Sequence, residues 1–466
     1  EAVRPAGARA TGAPPASDRP EGTAAIVGRT DRAAARDRLA FAGLLAFTFV
    51  VFVRPQDHVP LLHLLHVADV TAVFALGALV AGRLGRGEPI VRPTPALLGV
   101  VAFAAVMLAT VPFSIWPGGA FATFTGLYAK VVLLFFLMTA TLATRERLAR
   151  LLGVLVVGTS YIAGRAVLDY LRGANLVETG RLAGAVSGLF GNPNDLALTL
   201  VAILPLAVAF ALSRGRPAVR VTSALGALLM AAAVVFTQSR GGSIGMVAML
   251  GALVLGLRRI RPAAAALAVL AALAATPLLP DSYVERMASI FDAEKDPTGS
   301  REARKRLMRE GYQAFLEHPL TGVGAGQFQN YKPEAREEAW RETHNVVLQV
   351  ASELGAAGLA VFVFLVATAF RGAVSAVRRA RSPAGRATPG ADWLRLFGVA
   401  LVASLVGWLV AAMFASVAYY WTFYYLLAAS AAMADLARRE IAPRRRTSPA
   451  GRRATASPVS GQTAGA

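Results

Sequence analysis

Three short stretches of this chain carry polar groups where apolar residues would be cheaper. In Thr237-Gln238-Ser239-Arg240-Gly241-Gly242, Arg240 interrupts one long apolar stretch within 219–257 and so sets a guanidinium beside hydrocarbon. A charge in such a place is functional by default, the alternative being an arginine that snorkels to the headgroups. Arg181 precedes Gly191-Asn192-Pro193-Asn194-Asp195, where Asn194 or Asp195 either caps the helix whose first turn Pro193 sets or faces a ligand. His344-Asn345 stands at the head of a long apolar segment. The positive end of a helix disfavours imidazolium, so His344 is placed as a neutral group able to accept a proton, or else as an interfacial hydrogen-bonder. Glu353 lies two to three turns further along the same segment, and its default reading is a buried ion pair with Lys130 or Arg165. His58, His63 and His66 share one short loop without a carboxylate cluster, so no metal site is assigned there. There is no Cys, hence no disulfide framework and no thiolate nucleophile.

The elements that must position these residues are membrane helices. Of 466 residues 55% are hydrophobic and only 16% are charged, more apolar surface than one soluble core can bury. The net charge of +20 does not point to nucleic acid, because the arginines fall in short clusters between apolar runs rather than on one folded face. Twelve segments have the length and composition of spans: 39–53, 67–84, 96–113, 119–143, 148–167, 194–213, 219–237, 243–257, 263–279, 346–370, 396–415 and 417–436. The expected organisation is a cytoplasmic N-terminal tail over 1–38, nine helices within 39–280, a large outer loop over 281–343, three helices within 344–437 and a basic cytoplasmic tail over 438–466. Both tails read as disordered from their Ala, Gly, Pro and Arg content.

Orientation follows from the arginines. With the N-terminus inside, the inner loops hold Arg83, Arg86 and Arg92, then Arg145, Arg147 and Arg150, then Arg214, Arg216 and Arg220, then Arg258, Arg259 and Arg261, and finally the six between Arg371 and Arg395; the short outer loops hold Arg54, Arg172, Arg181 and Arg240. Eighteen against four is the positive-inside asymmetry, and a miscounted span would scramble it. The three site stretches then face outward.

Within the outer loop, Ser300 is a plausible N-cap, and Arg301 to Phe315 puts Leu307, Met308, Gly311, Tyr312 and Phe315 on one helical stripe. This amphipathic helix either lies on the membrane or over a cavity, or simply closes the fold. After it, His318-Pro319-Leu320-Thr321-Gly322-Val323-Gly324-Ala325-Gly326 reads as a tight loop re-entering the membrane surface, in preference to a phosphate-binding loop, because no strand precedes it.

In order and placement these motifs resemble the O-antigen ligase and O-antigen polymerase family of bacterial polysaccharide enzymes. The resemblance is carried by Gly188-Leu189-Phe190-Gly191-Asn192-Pro193-Asn194-Asp195, Ser239-Arg240-Gly241-Gly242, His318-Pro319-Leu320-Thr321-Gly322-Val323-Gly324, His344-Asn345 and Glu353-Leu354-Gly355-Ala356-Ala357-Gly358-Leu359. Arg54-Pro55-Gln56 further resembles the ligase-like branch that accompanies exosortase gene clusters. The aromatic usual after Arg301 is shifted to Tyr312 here.

The resemblance implies an all-α, GT-C-like glycosyltransferase of the bacterial inner membrane, needing neither metal nor cofactor. Its donor is a glycan on undecaprenyl diphosphate, and its acceptor hydroxyl sits on a lipid A core, a second glycan or a protein. It assigns catalysis to His344, Arg240 and Arg181, and substrate binding to Asn194, Asp195, Arg301 and Asn345. The residue chemistry agrees: guanidiniums meet phosphate oxygens in a planar fork, and an imidazole can take the acceptor proton. Ligase and polymerase are not separable by sequence. The rival class, a flippase for lipid-linked glycan, is disfavoured because the two halves show no self-similarity.

Overall fold

The computed structural model describes residues 37–57, 62, 65–177, 180–184, 191–258, 261–290, 300–332 and 342–441. Its architecture is all-α and polytopic. The helices are α1 (Arg38–Val53), α2 (Val67–Leu84), α3 (Pro95–Thr110), α4 (Pro117–Thr141, with a π-helical turn at Phe124–Tyr128), α5 (Arg145–Leu171), α6 (Pro193–Leu212), α7 (Pro217–Phe236), α8 (Arg240–Leu257), α9 (Pro262–Ala275), α10 (Asp281–Ala288), α11 (Ser300–Glu317), α12 (Val346–Arg381), α13 (Ala391–Ala412) and α14 (Trp421–Glu440). Among the described residues, nine helices are long and apolar enough to cross a membrane. Each of the twelve segments expected from sequence is occupied by helix.

Local chemistry sets the helix starts. Proline stands at the first turn of α3, α4, α6, α7 and α9, where its missing N–H costs nothing. Side-chain caps close the freed amides: Thr94 accepts from Leu97, Thr144 from Arg147 and Ser239 from Gly242. At α6 the cap is Asn192, whose Oδ1 accepts from the Asn194 amide at 2.8 Å. Asn194 and Asp195 therefore do not cap that helix, and their side chains are available for other contacts.

Burial separates centre from rim. In α6 and α13, 72% of the spanning window is buried inside the protein, against 28% in α7 and 17% in α2, so the first pair forms the middle of the bundle while the second faces lipid. An aromatic cluster of Phe103, Tyr128, Phe362, Phe423 and Tyr424 knits α3, α4, α12 and α14 together, with ring centroids 5.2 to 6.2 Å apart.

Successive helix ends alternate between two poles. At one pole Asp37 binds Arg83 and Arg86, Arg83 reaches the Ile90 and Ala140 carbonyls, Arg145 pairs with Glu440, and Arg214 and Arg395 meet Asp392. At the other, Ser114 bonds Val323, Arg181 bonds Thr237 and Asn194, Tyr283 bonds Ser243, and Thr343 meets Ser416. The arginine clusters thus gather at one pole and the three site stretches at the other. The start of α1 and the end of α14 share the arginine pole, as an even number of crossings requires.

Several details differ from the sequence reading. Arg240 is not in a loop but in the first turn of α8. The outer segment opens with a second short helix, α10, whose Tyr283 hydroxyl donates to Ser243 at 2.9 Å. The only strands among the described residues are the two-residue pair Leu176–Val177 and Arg181–Leu182, which fixes Arg181. Helix α14 runs to Glu440, beyond the boundary expected at 437. The stretches 1–36 and 442–466, which hold most of both expected tails, lie outside the described residues, as do His58, His63 and the side chain of Arg301.

Candidate active site

The site is assembled from three helix starts. At the first, Asn194 sits one residue inside α6 and its Oδ1 accepts from both the Arg181 guanidinium at 3.1 Å and the Ser239 hydroxyl at 2.8 Å. Arg181 also donates to the Thr237 carbonyl at 3.3 Å and is only 5% exposed. One asparagine thereby joins the strand pair, the α6 start and the turn before α8. Ser239 is at once the cap of α8 and a member of this node, and it sets the half-buried Arg240 as the next residue. Gln238, with positive φ, finishes the turn, its carbonyl accepting from Arg286 of α10 at 3.1 Å.

The third start is that of α12. Asn345 accepts from the Val347 and Leu348 amides at 3.0 Å each, while its amide nitrogen donates to the Met413 carbonyl at 3.2 Å. Its side chain is thus an N-cap and a tie to the end of α13. His344, held at φ 49°, donates its backbone N–H to the Ser416 hydroxyl at 3.1 Å, and that oxygen also lies 3.1 Å from Thr343 Oγ1. The imidazole, half-buried, is therefore carried on a backbone fixed from two sides.

Glu342 connects the two regions. Its carboxylate takes a hydrogen bond from Ser416 and lies within Coulombic range of Asp195, and both acids act on the Tyr420 phenol at the head of α14. Desolvation raises the Glu342 carboxyl above the usual glutamate range, with the Ser416 hydrogen bond acting against it. Sequence reading missed Glu342, Tyr420 and Ser416, and gave Ser239 no role of its own. Glu342 stood two residues from His344, but nothing in a charge-rich loop marked which acid turns inward.

Glu353 departs from the expected ion pair. Its carboxylate accepts from the Tyr419 hydroxyl and the Gly326 amide, each at 2.7 Å, while Lys130 pairs with Asp69 at 3.6 Å. The reason is a break in α12 at Gly355, where φ is 65°. The break frees carbonyls, and the glycine loop supplies amides to meet them: Val323 N–H donates to the Ser352 carbonyl at 2.8 Å, Gly324 to Glu353 at 2.9 Å, and across the gap Ala356 donates to Pro319 at 2.8 Å. The two backbones are close enough that a Cβ on Gly322 would stand 2.3 Å from the Glu353 carbonyl carbon and one on Gly355 2.5 Å from that of Leu320. The re-entering loop expected from sequence is therefore the partner of a broken helix. Its amides at 322, 323, 324, 326 and 327 already have acceptors, so it does not form a phosphate cradle.

Of the expected site residues, Arg181 and Asn194 are joined directly, Arg240 follows Ser239 of the same node, His344 and Asn345 stand at the α12 start, and Asp195 lies within Coulombic range of Glu342. Arg301 lies outside the described side chains. Among the described residues no group of three or more His, Asp or Glu side chains is arranged to hold a metal ion, and His66, 3.7 Å from Asp69, belongs to the separate pair with Lys130.

Fold and site together define a multi-pass, all-α membrane protein with a polar centre at the pole opposite its arginine clusters. Residues 225–363, from α7 through the kink in α12, match the sequence model of the family described as O-antigen ligase. That match, over less than a third of the chain, agrees with the ordered motifs in supporting a resemblance to the O-antigen ligase and polymerase family of polysaccharide biosynthesis. No curated protein matches the chain.

Proposed function

We propose that this protein is a ligase that moves a glycan from undecaprenyl diphosphate to an acceptor hydroxyl at the periplasmic face of the inner membrane, without a metal ion. The observation that carries this reading is the placement of arginines and an imidazole on opposite flanks of one centre at the arginine-poor pole. The starts of α6, α8 and α12 converge there, and helix starts favour anions.

The donor diphosphate meets Arg240 and Arg181, whose planar forks neutralise the charge that grows on the leaving oxygen. The acceptor hydroxyl, oriented by His344, attacks the anomeric carbon on the side away from the diphosphate. The new C–O bond forms as the C–O–phosphate bond breaks, the hydroxyl proton passes to the imidazole, undecaprenyl diphosphate departs, and a single displacement inverts the anomeric centre. Asp195, turned away from capping, and Glu342 offer carboxylate acceptors for sugar hydroxyls between the flanks. Asn345, by holding the α12 start, sets where His344 stands.

Two experiments test this. In the Cys-free chain, a single cysteine replacing Glu317 should react with a membrane-impermeant reagent in cells whose outer membrane alone is opened. Reaction only after the inner membrane is permeabilised overturns the orientation. In a deletion strain, untransferred lipid-linked glycan should accumulate in the outer leaflet; single repeat units left on the acceptor would show a polymerase instead, and accumulation in the inner leaflet a flippase.

A further inference from the structure

Helix α11 is apolar on two faces. The stripe expected from sequence divides: Leu307, Gly311 and Ala314 turn inward, where Leu307 and Ala314 form a small core with Val323, Phe328 and Tyr331. Met308, Tyr312 and Leu316 turn outward at a spacing of four, 39%, 55% and 57% exposed, and Leu320 beyond the helix is 76% exposed. A fold-closing helix needs only the inner face, so the outer one has a separate cause.

Two features say what covers it. Lys305, Arg306 and Arg309 are exposed around the strip, Lys305 paired with Glu302 at 2.7 Å, which leaves Arg306 and Arg309 as its basic margin. The strip also continues into the lipid-facing belt of the bundle: Phe113, Ile115 and Trp116, at the end of α3 and the start of α4, are 64%, 42% and 56% exposed, and the Ile115 amide bonds the Val323 carbonyl at 3.1 Å, three residues past Leu320. Trp at such a level is the usual mark of a headgroup boundary. A second copy of the chain fits less well, since a stable protein interface covers roughly 800 Å² and 20–30 residues a side.

We propose that α11 is an interfacial helix seated in the headgroup layer of the leaflet on the site side, with Met308, Tyr312, Leu316 and Leu320 among acyl chains and Arg306 and Arg309 against anionic lipid phosphates. The membrane surface then fixes the glycine loop and, through it, the half-helix headed by His344. The proposal is independent of which compartment that leaflet faces.

Because the chain has no cysteine, single nitroxide labels at Met308, Tyr312, Leu316 and, as an outward control, Gln313 can be read in the full-length protein in nanodiscs of mixed phosphatidylglycerol and phosphatidylcholine. The ratio of oxygen to nickel-chelate accessibility should be several-fold higher at 308, 312 and 316 than at 313. It should fall at those three positions in pure phosphatidylcholine, and likewise when Arg306 and Arg309 are both replaced by Ala. Water-like ratios at all four positions would overturn the proposal, as would dipolar broadening between labels of two copies. Ratios unchanged by both charge manipulations would overturn the anionic-lipid assignment.

Discussion

The arginine pole and the three helix starts of the site hold their charges differently. At the arginine pole opposite charges meet directly: Asp37 lies 2.5 Å from Arg86 and 3.4 Å from Arg83, Arg145 pairs with Glu440, and Asp392 is shared by Arg395 and Arg214. At the site Arg181 donates to a carbonyl and an amide oxygen, Glu353 accepts from a hydroxyl and a backbone N–H, and Asp195 lies within Coulombic range of Glu342. Ion pairs cancel fields and tie helix ends together. Neutral partners orient a charge without cancelling it.

If that difference is functional, the largest effect belongs to His344. His344→Ala should lower transfer in a purified assay with lipid-linked donor by about a hundred- to ten-thousandfold, the range typical of a positioned base, while donor binding survives. His344→Gln divides the role, because glutamine can accept a hydrogen bond but cannot take the proton at neutral pH. Substantial activity in the Gln variant would leave orientation and remove base catalysis.

Next come the arginines. Arg240→Ala and Arg181→Ala should each cost on the order of a hundredfold in rate with the protein still inserted, and Lys should rescue poorly for want of the planar fork. Arg181 braces Asn194 and Thr237, so its loss should lower thermal stability in detergent as well. Near-normal glycan assembly with Arg240→Ala at matched expression would return that residue to a snorkelling role.

Much of the fold was legible because span length and arginine asymmetry are one-dimensional signals. The twelve segments and the shared pole of the helix bearing Asp37 and the helix ending at Glu440 follow from them. Arg181, Arg240 and His344 stand out in the sequence because polar groups at an apolar boundary are anomalous there. What escaped depends on contacts between distant segments. Glu353 was read as half of an ion pair because the kink at Gly355, and the amide of Gly326 that it brings near, are visible only once the loop is folded against α12. Asn192 could not be told from Asn194 as the cap, since both are asparagines beside Pro193 and one residue decides the geometry.

A smaller effect lies in the kink itself. Gly322→Ala or Gly355→Ala would add a Cβ against backbone at a residue of positive φ, a strain on the order of 1–3 kcal/mol. Thermal unfolding in detergent should move down accordingly, and activity should fall with the displacement of His344. Unchanged melting in both variants would mean that the loop is not held against α12 as described.

The smallest effect should come from the arginine pole, at Arg145 and Glu440. Their side chains are 30% and 28% exposed, and pairs open to solvent contribute about 0–1 kcal/mol. Glu440 ends α14, where a carboxylate is disfavoured by the negative end of the helix, so Glu440→Gln removes a repulsion along with the pair and the net loss should be near the bottom of that range. Arg145 also lies over the Trp393 ring, 5.7 Å from its centroid, so Arg145→Gln should cost roughly 0.5–1 kcal/mol more than Glu440→Gln. A double-mutant cycle in detergent separates the two contributions. Transfer activity should stay within about twofold of wild type in all three variants, since neither side chain lies at the pole where the glycan is handled and the stability change is of the order of an exposed pair. A tenfold loss of activity at unchanged stability would break the division between the poles, because it would show that the ion pairs transmit to the site rather than simply closing the bundle.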